Sequence, residues 1–358
     1  GDEAAGVNDI GSIKSAEPAA RDDTESEKLW AEMGIPANRI YRFGKEDNWW
    51  GPAGQEGPCG PCTELHYDFG QSKGCHQDDC APNCHHVMND EGDLCNRFVE
   101  LWNVVFMQLY QHIDGNLTSL PSPSVDTGLG LERIAVVTQG VDTIYETDLF
   151  RPLIRYVEEY TGKSYGVDRD IDYDMRVVVE HVRGSVFLIA DGVVPGNEGR
   201  GYVLRRLIRR AIRHGRNLEV QDGFLGDIAN LVISKMGLPY PELCNHQDFI
   251  LTVLKLEEER FQQVFSKGYT MLTDALKGSE VLSGDVAFKL WDTYGFPVEM
   301  TQEIANEISV DVDLIGFNDS LDKQRQRARK SARFDGDRTA VRIYNSLGVG
   351  STKFLGYD

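Results

Sequence analysis

Residues 98–134 decide the fold of this chain, because two apolar-rich segments are joined there by a turn and followed by a glycine-rich motif. The first segment, Phe98-Val-Glu-Leu-Trp-Asn-Val-Val-Phe-Met-Gln108, is rich in β-branched and aromatic residues, which predicts a buried strand. Asp114-Gly115 is typical of a hairpin turn. The last segment, Ser124-Val-Asp-Thr-Gly-Leu-Gly-Leu-Glu-Arg-Ile134, predicts a strand, a glycine turn and the start of a helix. We therefore expect two antiparallel strands that lead into a helix.

Four polar side chains interrupt this apolar unit: Glu100, Asn103, Asp126 and Arg133. A buried polar group costs free energy unless it has a partner, so four within one strand–hairpin–strand–helix unit indicate a common site. Taken singly, an aspartate before a glycine turn is usually a turn residue, and an arginine early in a helix is usually a surface charge. Gly128 has no Cβ and would let a ligand approach the backbone.

Length and composition narrow the class of protein. A chain of 358 residues with 41% hydrophobic residues is long enough for two globular domains. It contains no apolar run of about 18 residues and no signal peptide, which predicts no membrane partner and a cytoplasmic location. The net charge of −20 argues against extensive coating by nucleic acid, and we expect no DNA partner. Because the chain begins Gly-Asp-Glu, we interpret it as part of a longer protein.

Six of the seven cysteines lie between Cys59 and Cys95, which indicates local structure or a metal in a reducing compartment. The spacing C-x4-C-x3-C-x10-C in a segment with few apolar residues predicts a structural Zn²⁺ site in preference to unligated thiols. The predicted ligands are Cys75, Cys80, Cys84 and Cys95, with His85 or His86 able to replace one of them. Cys59-Gly-Pro-Cys62 resembles a redox pair, but no helix pattern follows it, which disfavours that role.

Changes in pattern along the chain predict its domain organisation. Residues 51–61 are rich in glycine and proline and predict a loop, and Gly162–Asp172 predicts a linker. We place a first domain at residues 1–162, with a Cys/His-rich insertion at 70–96. A helical domain would occupy residues 163–335, and residues 336–358 would begin a β structure.

One predicted helix, Tyr202–His214, combines an apolar stripe with an unusual concentration of arginine. Residues 200–216 hold seven arginines and no acidic residue. Such a charge run is usually a solvated face. On an acidic protein, and with every cation an arginine, we favour binding to an RNA backbone.

Asp126-Thr-Gly-Leu-Gly-Leu-Glu-Arg133 resembles the third signature motif of class II aminoacyl-tRNA synthetases, in the form found in alanyl-tRNA synthetases. Three further segments resemble the same family in the same order: Gly57–Glu64, Glu100–Gln108 and Asn197–Arg206, followed by Asp292-Thr-Tyr-Gly-Phe-Pro297. The resemblance implies an α+β fold. It would comprise the remainder of a class II antiparallel sheet with flanking helices, followed by an all-helical tRNA-recognition domain.

The resemblance implies an alanine–tRNA ligase that uses ATP and Mg²⁺. The carboxylate of alanine would attack the α-phosphate of ATP to give alanyl-adenylate and pyrophosphate, and the terminal ribose hydroxyl of tRNA(Ala) would then accept the alanyl group. Asp126 would bind the substrate's ammonium group and Asn103 its amino or carboxylate group. Trp50 and Gly128 would border the pocket for the methyl side chain.

Arg133 would neutralise the phosphates of ATP, and Glu100 would hold Mg²⁺. For tRNA, Asn197 and Asp292 resemble residues that read the minor groove of the acceptor stem from two sides. The remaining predicted tRNA contacts are the arginines Arg200, Arg205, Arg206, Arg209, Arg210 and Arg213.

The first two class II signature motifs, the editing domain and the C-terminal domain have no counterpart in this sequence. We therefore expect the chain alone to lack adenylation activity. Two alternatives are a tRNA-binding fragment without catalysis and a zinc-stabilised module derived from a synthetase. The oligomeric state is left open.

Overall fold

Among the described residues, six strands form one sheet in the first part of the chain. The computed structural model describes residues 6–9, 24–89 and 93–332. The strands are β1 (Gly6–Asp9), β2 (Ile40–Arg42), β3 (Trp49–Trp50), β4 (Gly57–Asp68), β5 (Phe98–Gln111) and β6 (Leu117–Leu129). They are ordered β2-β1-β4-β5-β6, with β3 paired to β4, and only β1 and β2 run parallel.

The predicted hairpin is confirmed by β5, β6 and the turn that joins them. Gly115 adopts a φ of 84°, which favours glycine, and Asp114 accepts a hydrogen bond of 3.0 Å from the N–H of Asn116. β6 ends the sheet and carries Pro121 and Pro123 where its register with β5 shifts. Proline has no N–H to donate, and an irregular edge strand tolerates that loss.

The prediction of a loop at residues 51–61 is wrong for its last part, because β4 begins at Gly57. Gly60 explains why so glycine-rich a segment can join the sheet. A Cβ at Gly60 would lie 1.9 Å from the carbonyl oxygen of Phe106 on β5, so only glycine permits this approach of the two strands. The close approach lies at a register shift between β4 and β5.

The chain forms two compact units, Gly1–Arg151 and Pro152–Asp358. The first unit contains the sheet with α1 (Thr24–Glu32), α2 (Leu131–Gln139) and the 3₁₀ helices Ala37–Arg39, Gln71–Lys73 and Ile144–Glu146. A mixed sheet-and-helix unit followed by a mainly helical unit confirms the predicted α+β class. The start of a β structure expected at residues 336–358 lies outside the described residues.

In its described residues, up to Ala332, the second unit is built mainly from helices, with one short parallel strand pair. Its elements are α3 (Arg151–Thr161), α4 (Arg169–Ala190), α5 (Gly199–Asn217), α6 (Phe224–Met236), α7 (Pro241–Asn245), α8 (Gln247–Leu276), β7 (Val281–Leu282), α9 (Gly284–Tyr294), α10 (Val298–Asn306), β8 (Asp311–Val312) and α11 (Leu314–Ala332). The boundary predicted at Gly162 placed α3 in the first domain, whereas α3 belongs almost entirely to this unit. Among the described helices, none combines the length and the apolar character that crossing a membrane requires.

Apolar stripes at helical spacing form the core of the second unit. Leu204, Ile208 and Ala211 of α5 are at most 1% exposed, as the predicted stripe requires. Part of the linker predicted at Gly162–Asp172 is instead helical, because α4 begins at Arg169. Asp168 caps that helix by accepting hydrogen bonds from two backbone N–H groups of its first turn.

Candidate functional site

A row of polar side chains crosses β4, β5 and β6 on one face of the sheet. Glu64 stands opposite Asn103, and Asn103 stands opposite Gly128. Asn103 Nδ2 donates to Glu64 Oε1 at 3.0 Å, and Glu64 Oε2 lies 3.1 Å from His66 Nε2. A Cβ at Gly128 would meet no heavy atom of the described chain within 4 Å. The row therefore ends in open space where Gly128 has no side chain.

Asp126 borders the same open space. It stands opposite Val105, two residues along β5 from Asn103, and residues two apart on a strand share a face. Its carboxylate is exposed and accepts a hydrogen bond of 2.8 Å from the N–H of Thr127. The structure thus brings Asn103, Gly128 and Asp126 together on one face of the sheet.

Two buried acceptors at this site have no partner within the described chain. They are the Oδ1 atoms of Asn103 and of Asn48, a residue that is only 1% exposed. The backbone carbonyl of Asn48 accepts from Cys62 N at 3.2 Å, which ties it to β4. Trp50 follows on β3 opposite Gly60 and is half-exposed. Because an unsatisfied buried acceptor costs free energy, these atoms point to a ligand or water that donates to them.

Glu100 reaches the same face through a β-bulge. β5 has one extra residue between the pairs Leu65–Trp102 and His66–Glu100. On a regular strand, side chains alternate between the two faces, so residues three apart face opposite sides. The extra residue of the bulge shifts this alternation by one position. Glu100 and Asn103 therefore lie on one face of the sheet.

Arg133 lies on the first turn of α2 and binds Glu100. Its Nη1 donates to the carbonyl oxygen of Glu100 at 2.8 Å and to Oε2 at 3.2 Å. The side chains of Arg133 and Glu100 are 49% and 35% exposed. An ion pair this accessible contributes at most about 1 kcal/mol, so either partner can exchange it for a ligand at little cost.

The Cys59-x-x-Cys62 pair lacks the properties of a redox site. Burial raises the pKa of Cys62 to about 12, and the neighbouring charge of Glu64 adds to the effect. Burial also raises the pKa of Cys59. A reactive thiol needs a lowered pKa, so both cysteines are protonated and pack as small apolar side chains. Cys62 packs against Val105 and Met107.

The four cysteines predicted as metal ligands converge in the insertion at 70–96. Their Sγ atoms all lie within 4.8 Å of one another, and the separations Cys75–Cys84 and Cys80–Cys95 are 3.6 and 3.7 Å. Four thiolates about 2.3 Å from a tetrahedral Zn²⁺ would be about 3.8 Å apart. Two of the separations are close to this value, so the four cysteines could hold one tetrahedral metal ion.

His86 is the histidine that approaches this cluster. Its Nδ1 lies 3.5 Å from Cys75 Sγ and 3.4 Å from Cys84 Sγ. His85 makes no hydrogen bond to the cluster within the described residues. The chain reverses direction between these ligands, because Val87 pairs with Leu94 and Cys95 N donates to His86 O at 2.8 Å.

The arginines of α5 lie against acidic residues of α8 and α10 and against Glu307, which caps the end of α10. Five of them form ion pairs within the chain, and Arg200 is exposed at the start of the helix. The pairs are Arg205–Glu257 and Arg209–Glu257, Arg206–Glu299, Arg210–Glu303, and Arg213 with both Glu303 and Glu307. The side chains of Arg209 and Arg213 are 9% and 5% exposed. The predicted basic rod is thus largely neutralised where it packs on its neighbours.

Glu303 is the acceptor at the centre of one of these clusters. Arg210 donates to its Oε1 at 2.7 Å, Arg213 lies 3.2 Å from Oε2, and His214 Nε2 lies 3.2 Å from Oε1. Burial alone would raise the pKa of Glu303, but the hydrogen bonds and charges of these cations outweigh it and lower the pKa well below the ordinary value. Burial would likewise lower the pKa of His214, but hydrogen bonds to Asp174 and Glu303 raise it.

Asn197 and Asp292 line one cleft of about 710 Å³ in the second unit, although they are far apart in sequence. Arg205 donates to Asn197 Oδ1 and, at 3.3 Å, to the carbonyl oxygen of Pro195. Gln324 Nε2 donates to Asp292 Oδ1 at 2.6 Å. Among the cleft-lining residues are three further cations, namely Arg209, Arg260 and Arg325.

Sequence reasoning missed Glu64, Asn48 and Glu257 as members of these sites. Glu64 was detectable as the middle of the alternating series Cys62, Glu64, His66 on β4. Asn48 and Glu257 carry no local signal, because their partners lie on other elements.

An antiparallel sheet with this polar row, followed by a helix that carries an arginine over it, is the arrangement of a class II aminoacyl-tRNA synthetase. The family model described as tRNA synthetases class II (A) matches residues 15–358, and the chain belongs to this family.

Curated proteins that are similar in sequence narrow the similarity to alanine–tRNA ligases. The alanine–tRNA ligase of Dehalococcoides mccartyi is 47% identical over 342 residues, and that of Thermoanaerobacter pseudethanolicus is 44% identical over 343 residues. The alanine–tRNA ligase of Petrotoga mobilis is 43% identical over 344 residues. Each match covers 94% of this chain and 38% of the relative, so the chain spans well under half the length of these proteins.

Proposed function

We propose that this chain is the part of an alanine–tRNA ligase that contributes much of the amino-acid activation site and the domain that recognises the tRNA acceptor stem. The observation that carries the proposal is the open space over Gly128, bordered by Asn103 and Asp126. This space leaves room for an amino acid beside the two polar side chains. The similarity to alanine–tRNA ligases supports alanine as the substrate.

In this proposal the residues act by positioning and by charge neutralisation. Asp126 binds the ammonium group of alanine, since a carboxylate is the natural partner of a cation. The unpartnered Asn103 Oδ1 accepts from the same ammonium group, and Nδ2 remains held by Glu64. A methyl side chain occupies the space that the missing Cβ of Gly128 leaves.

Activation needs the phosphates of ATP to lie beside the alanine carboxylate. Arg133 exchanges its exposed ion pair with Glu100 for a phosphate oxygen, which costs little. The freed carboxylate of Glu100 would hold Mg²⁺, an ion that prefers oxygen ligands. When bound, Mg²⁺ neutralises charge on the phosphates during transfer.

The first test is calorimetric titration of this chain with a non-hydrolysable alanyl-adenylate analogue. We expect binding, and we expect Asp126→Ala to weaken it at least about 30-fold, the equivalent of about 2 kcal/mol for a charged hydrogen-bonding partner. Asp142→Ala removes one exposed carboxylate elsewhere in the same unit and should leave affinity unchanged.

If the folded chain does not bind the analogue, the activation site requires residues outside this sequence. The chain would then be a tRNA-binding piece without an activation site of its own. That second candidate is favoured by one observation, the cleft between Asn197 and Asp292.

We propose that this cleft receives the minor groove of the acceptor stem, which in A-form RNA is wide and shallow. Arginine can only donate, so Asn197 Oδ1 faces Arg205 and Nδ2 is left to donate to a base. Gln324 donates a hydrogen bond to Asp292 Oδ1. Oδ2 of Asp292 is therefore left to accept from an exocyclic amino group such as that of guanine. Arg260 and Arg325 are placed to attract the phosphates on either side.

The arginines of α5 divide between two roles in this proposal. Arg200 is exposed and Arg205 lines the cleft, so both are candidates for RNA contact. Arg209 and Arg213 are buried in ion pairs, and a phosphate contact would require those pairs to break. We assign these two a structural role instead, which replaces the uniform RNA contact expected from the sequence.

Base readout in the cleft is tested with RNA hairpins that carry the tRNA(Ala) acceptor stem and with variants in which one base pair at a time is exchanged. We expect Asn197→Ala and Asp292→Asn each to reduce discrimination at one base pair by about 10-fold, since one base contact contributes about 1–3 kcal/mol. Asp319→Asn, an exposed carboxylate outside the cleft, is the control. Unchanged discrimination in both cleft variants would contradict the proposed recognition.

We also propose that the four cysteines of the insertion hold a structural Zn²⁺. The support is the near-tetrahedral separation of their sulfur atoms together with a segment too poor in apolar residues to form its own core. Four thiolates leave no open position, so the ion would act in folding and take no part in the reaction.

A further inference from the structure

Glu257 is a buried carboxylate between the two walls of the cleft, and neither sequence analysis nor family resemblance assigns it a role. It lies on α8, a helix that carries none of the tRNA contacts predicted from the sequence, and is 1% exposed. A buried charge is stable only when paired and hydrogen-bonded. Its partners therefore define what it does.

The first partner connects Glu257 to the wall that carries Asp292. Arg209 Nε donates to Glu257 Oε1 at 2.7 Å, while Arg209 Nη1 donates to the carbonyl oxygen of Gly295. Gly295 ends α9 with a φ of 65°, three residues after Asp292. A Cβ at Gly295 would lie 2.0 Å from Arg209 Nη1, so the guanidinium is packed directly against this helix end.

The second partner connects Glu257 to the wall that carries Asn197. Arg205 Nε lies 3.2 Å from the same Oε1 atom. The other nitrogens of Arg205 bind Asn197 Oδ1 and the carbonyl oxygen of Pro195. One carboxylate oxygen thus accepts a hydrogen bond from Arg209 and forms an ion pair, without hydrogen-bond geometry, with Arg205. Each of these two guanidinium groups binds one wall of the cleft.

We propose that Glu257 is a positioning residue for recognition of the acceptor stem, because it fixes the separation and orientation of Asn197 and Asp292. The proposal rests on the proposed function of the cleft. Glu257 itself touches no RNA. Since both arginines share Oε1, a change at Glu257 disturbs both walls together, and the two reading groups lose their match to the width of one minor groove.

The phenyl ring of Phe261 makes the arrangement rigid on one side. The guanidinium of Arg209 lies 4.8 Å from the centre of that ring, which packs in turn against Phe296 next to Gly295. Arg209 therefore has a fixed place even before RNA arrives. Preorganisation of this kind favours discrimination, because a mismatched stem cannot be accommodated by a shift of one wall.

Glu257→Gln is the variant that tests the proposal, and Glu258→Gln is its matched control. Glu258 is the next residue of α8 and is also buried. It accepts a hydrogen bond of 3.2 Å from the backbone N–H of Gly223, which does not line the cleft. Burial raises the pKa of Glu258 to about 7, so its neutral amide analogue should be tolerated. Both variants are measured in the same hairpin assay, with the chain otherwise unchanged.

We expect Glu257→Gln to reduce discrimination between the cognate hairpin and the single-pair variant read by Asn197 by about 10-fold, while Glu258→Gln leaves the ratio unchanged. A purely structural role would weaken binding to both hairpins alike and would not move the ratio. Arg209→Lys is the second variant, to be used if Glu257→Gln does not fold. Lysine keeps the charge but cannot bind Glu257 and the carbonyl of Gly295 together, so this variant should also reduce the discrimination ratio.

The outcomes separate this inference from the function it rests on. If Asn197→Ala changes discrimination but Glu257→Gln and Arg209→Lys behave like Glu258→Gln, Glu257 is not a positioning residue and the cleft still reads RNA. If Asn197→Ala and Asp292→Asn change nothing, the cleft does not read the stem and both proposals fail.

Discussion

Replacing Glu303 with alanine is expected to lower the free energy of unfolding by about 3–5 kcal/mol, because it leaves buried cations without their shared acceptor. Arg210, Arg213 and His214 all converge on this carboxylate, and the Arg213 side chain is only 5% exposed. Urea unfolding followed by circular dichroism measures the effect. The loss should fall on the second unit, which contains all four residues.

Glu299 provides the matched control, since it lies one turn earlier on the same helix. Its pair with Arg206 is exposed on both sides, with side chains 42% and 38% exposed. Glu299→Ala should cost about 1–2 kcal/mol, because it removes an exposed ion pair and the acceptor of the Tyr202 hydroxyl. Equal losses in the two variants would show that burial of the Glu303 cluster contributes nothing.

The same cluster predicts a dependence on pH. The pKa of Glu303 is lower in the folded protein than its ordinary value of 4.5, so its stabilising effect is fully present above that value. It is lost as the pH falls below 4.5 towards the folded-state pKa, because the unfolded chain then binds the proton more readily. The difference in stability between the wild-type chain and Glu303→Gln should therefore shrink below about pH 4.5. A difference that stays constant down to pH 3 would contradict the assignment.

The second large effect is expected at the insertion, where one Zn²⁺ should bind per chain. Structural zinc sites contribute on the order of 10 kcal/mol to the folding of small domains, so Cys80→Ser or a strong chelator should unfold residues 70–96. Metal analysis of the purified chain should give one Zn²⁺, falling to nearly none in Cys80→Ser. Limited proteolysis should then cut within the insertion.

Cys244→Ser is the control for this experiment, because Cys244 is an exposed cysteine outside the cluster. Its zinc content and its proteolysis pattern should match those of the unchanged chain. A chain that carries no zinc, and whose insertion resists proteolysis equally in both variants, would show that the four thiols are unligated.

Local patterns in the sequence predicted the parts of the fold that depend on neighbours along the chain. The β5–β6 hairpin follows from apolar strands around Asp114-Gly115, and the buried stripe of α5 follows from its helical spacing. The four cysteines also meet as their spacing suggested. In each case the residues that decide the structure lie within about 30 positions of one another.

Long-range pairing explains what the sequence did not reveal. Glu64 joins the site only because the register of β4 and β5 sets it opposite Asn103, 39 residues away. Gly60 joins a strand because another backbone approaches it at a register shift. The bulge that turns Glu100 towards Asn103 depends on the same strand pairing. These strand pairings cannot be inferred from the hydrophobic periodicity of a single segment.

By itself, the sequence determined the family, the strand–hairpin–strand–helix unit and the identity of the polar residues that interrupt it. Only the tertiary structure decided which charged side chains form ion pairs within the chain. The arginines of α5 form a basic run in sequence, but acids 48 to 94 residues away neutralise most of them. The physical reason is that hydrophobic periodicity acts along one element, whereas the pairing of a buried charge depends on every element that packs against it.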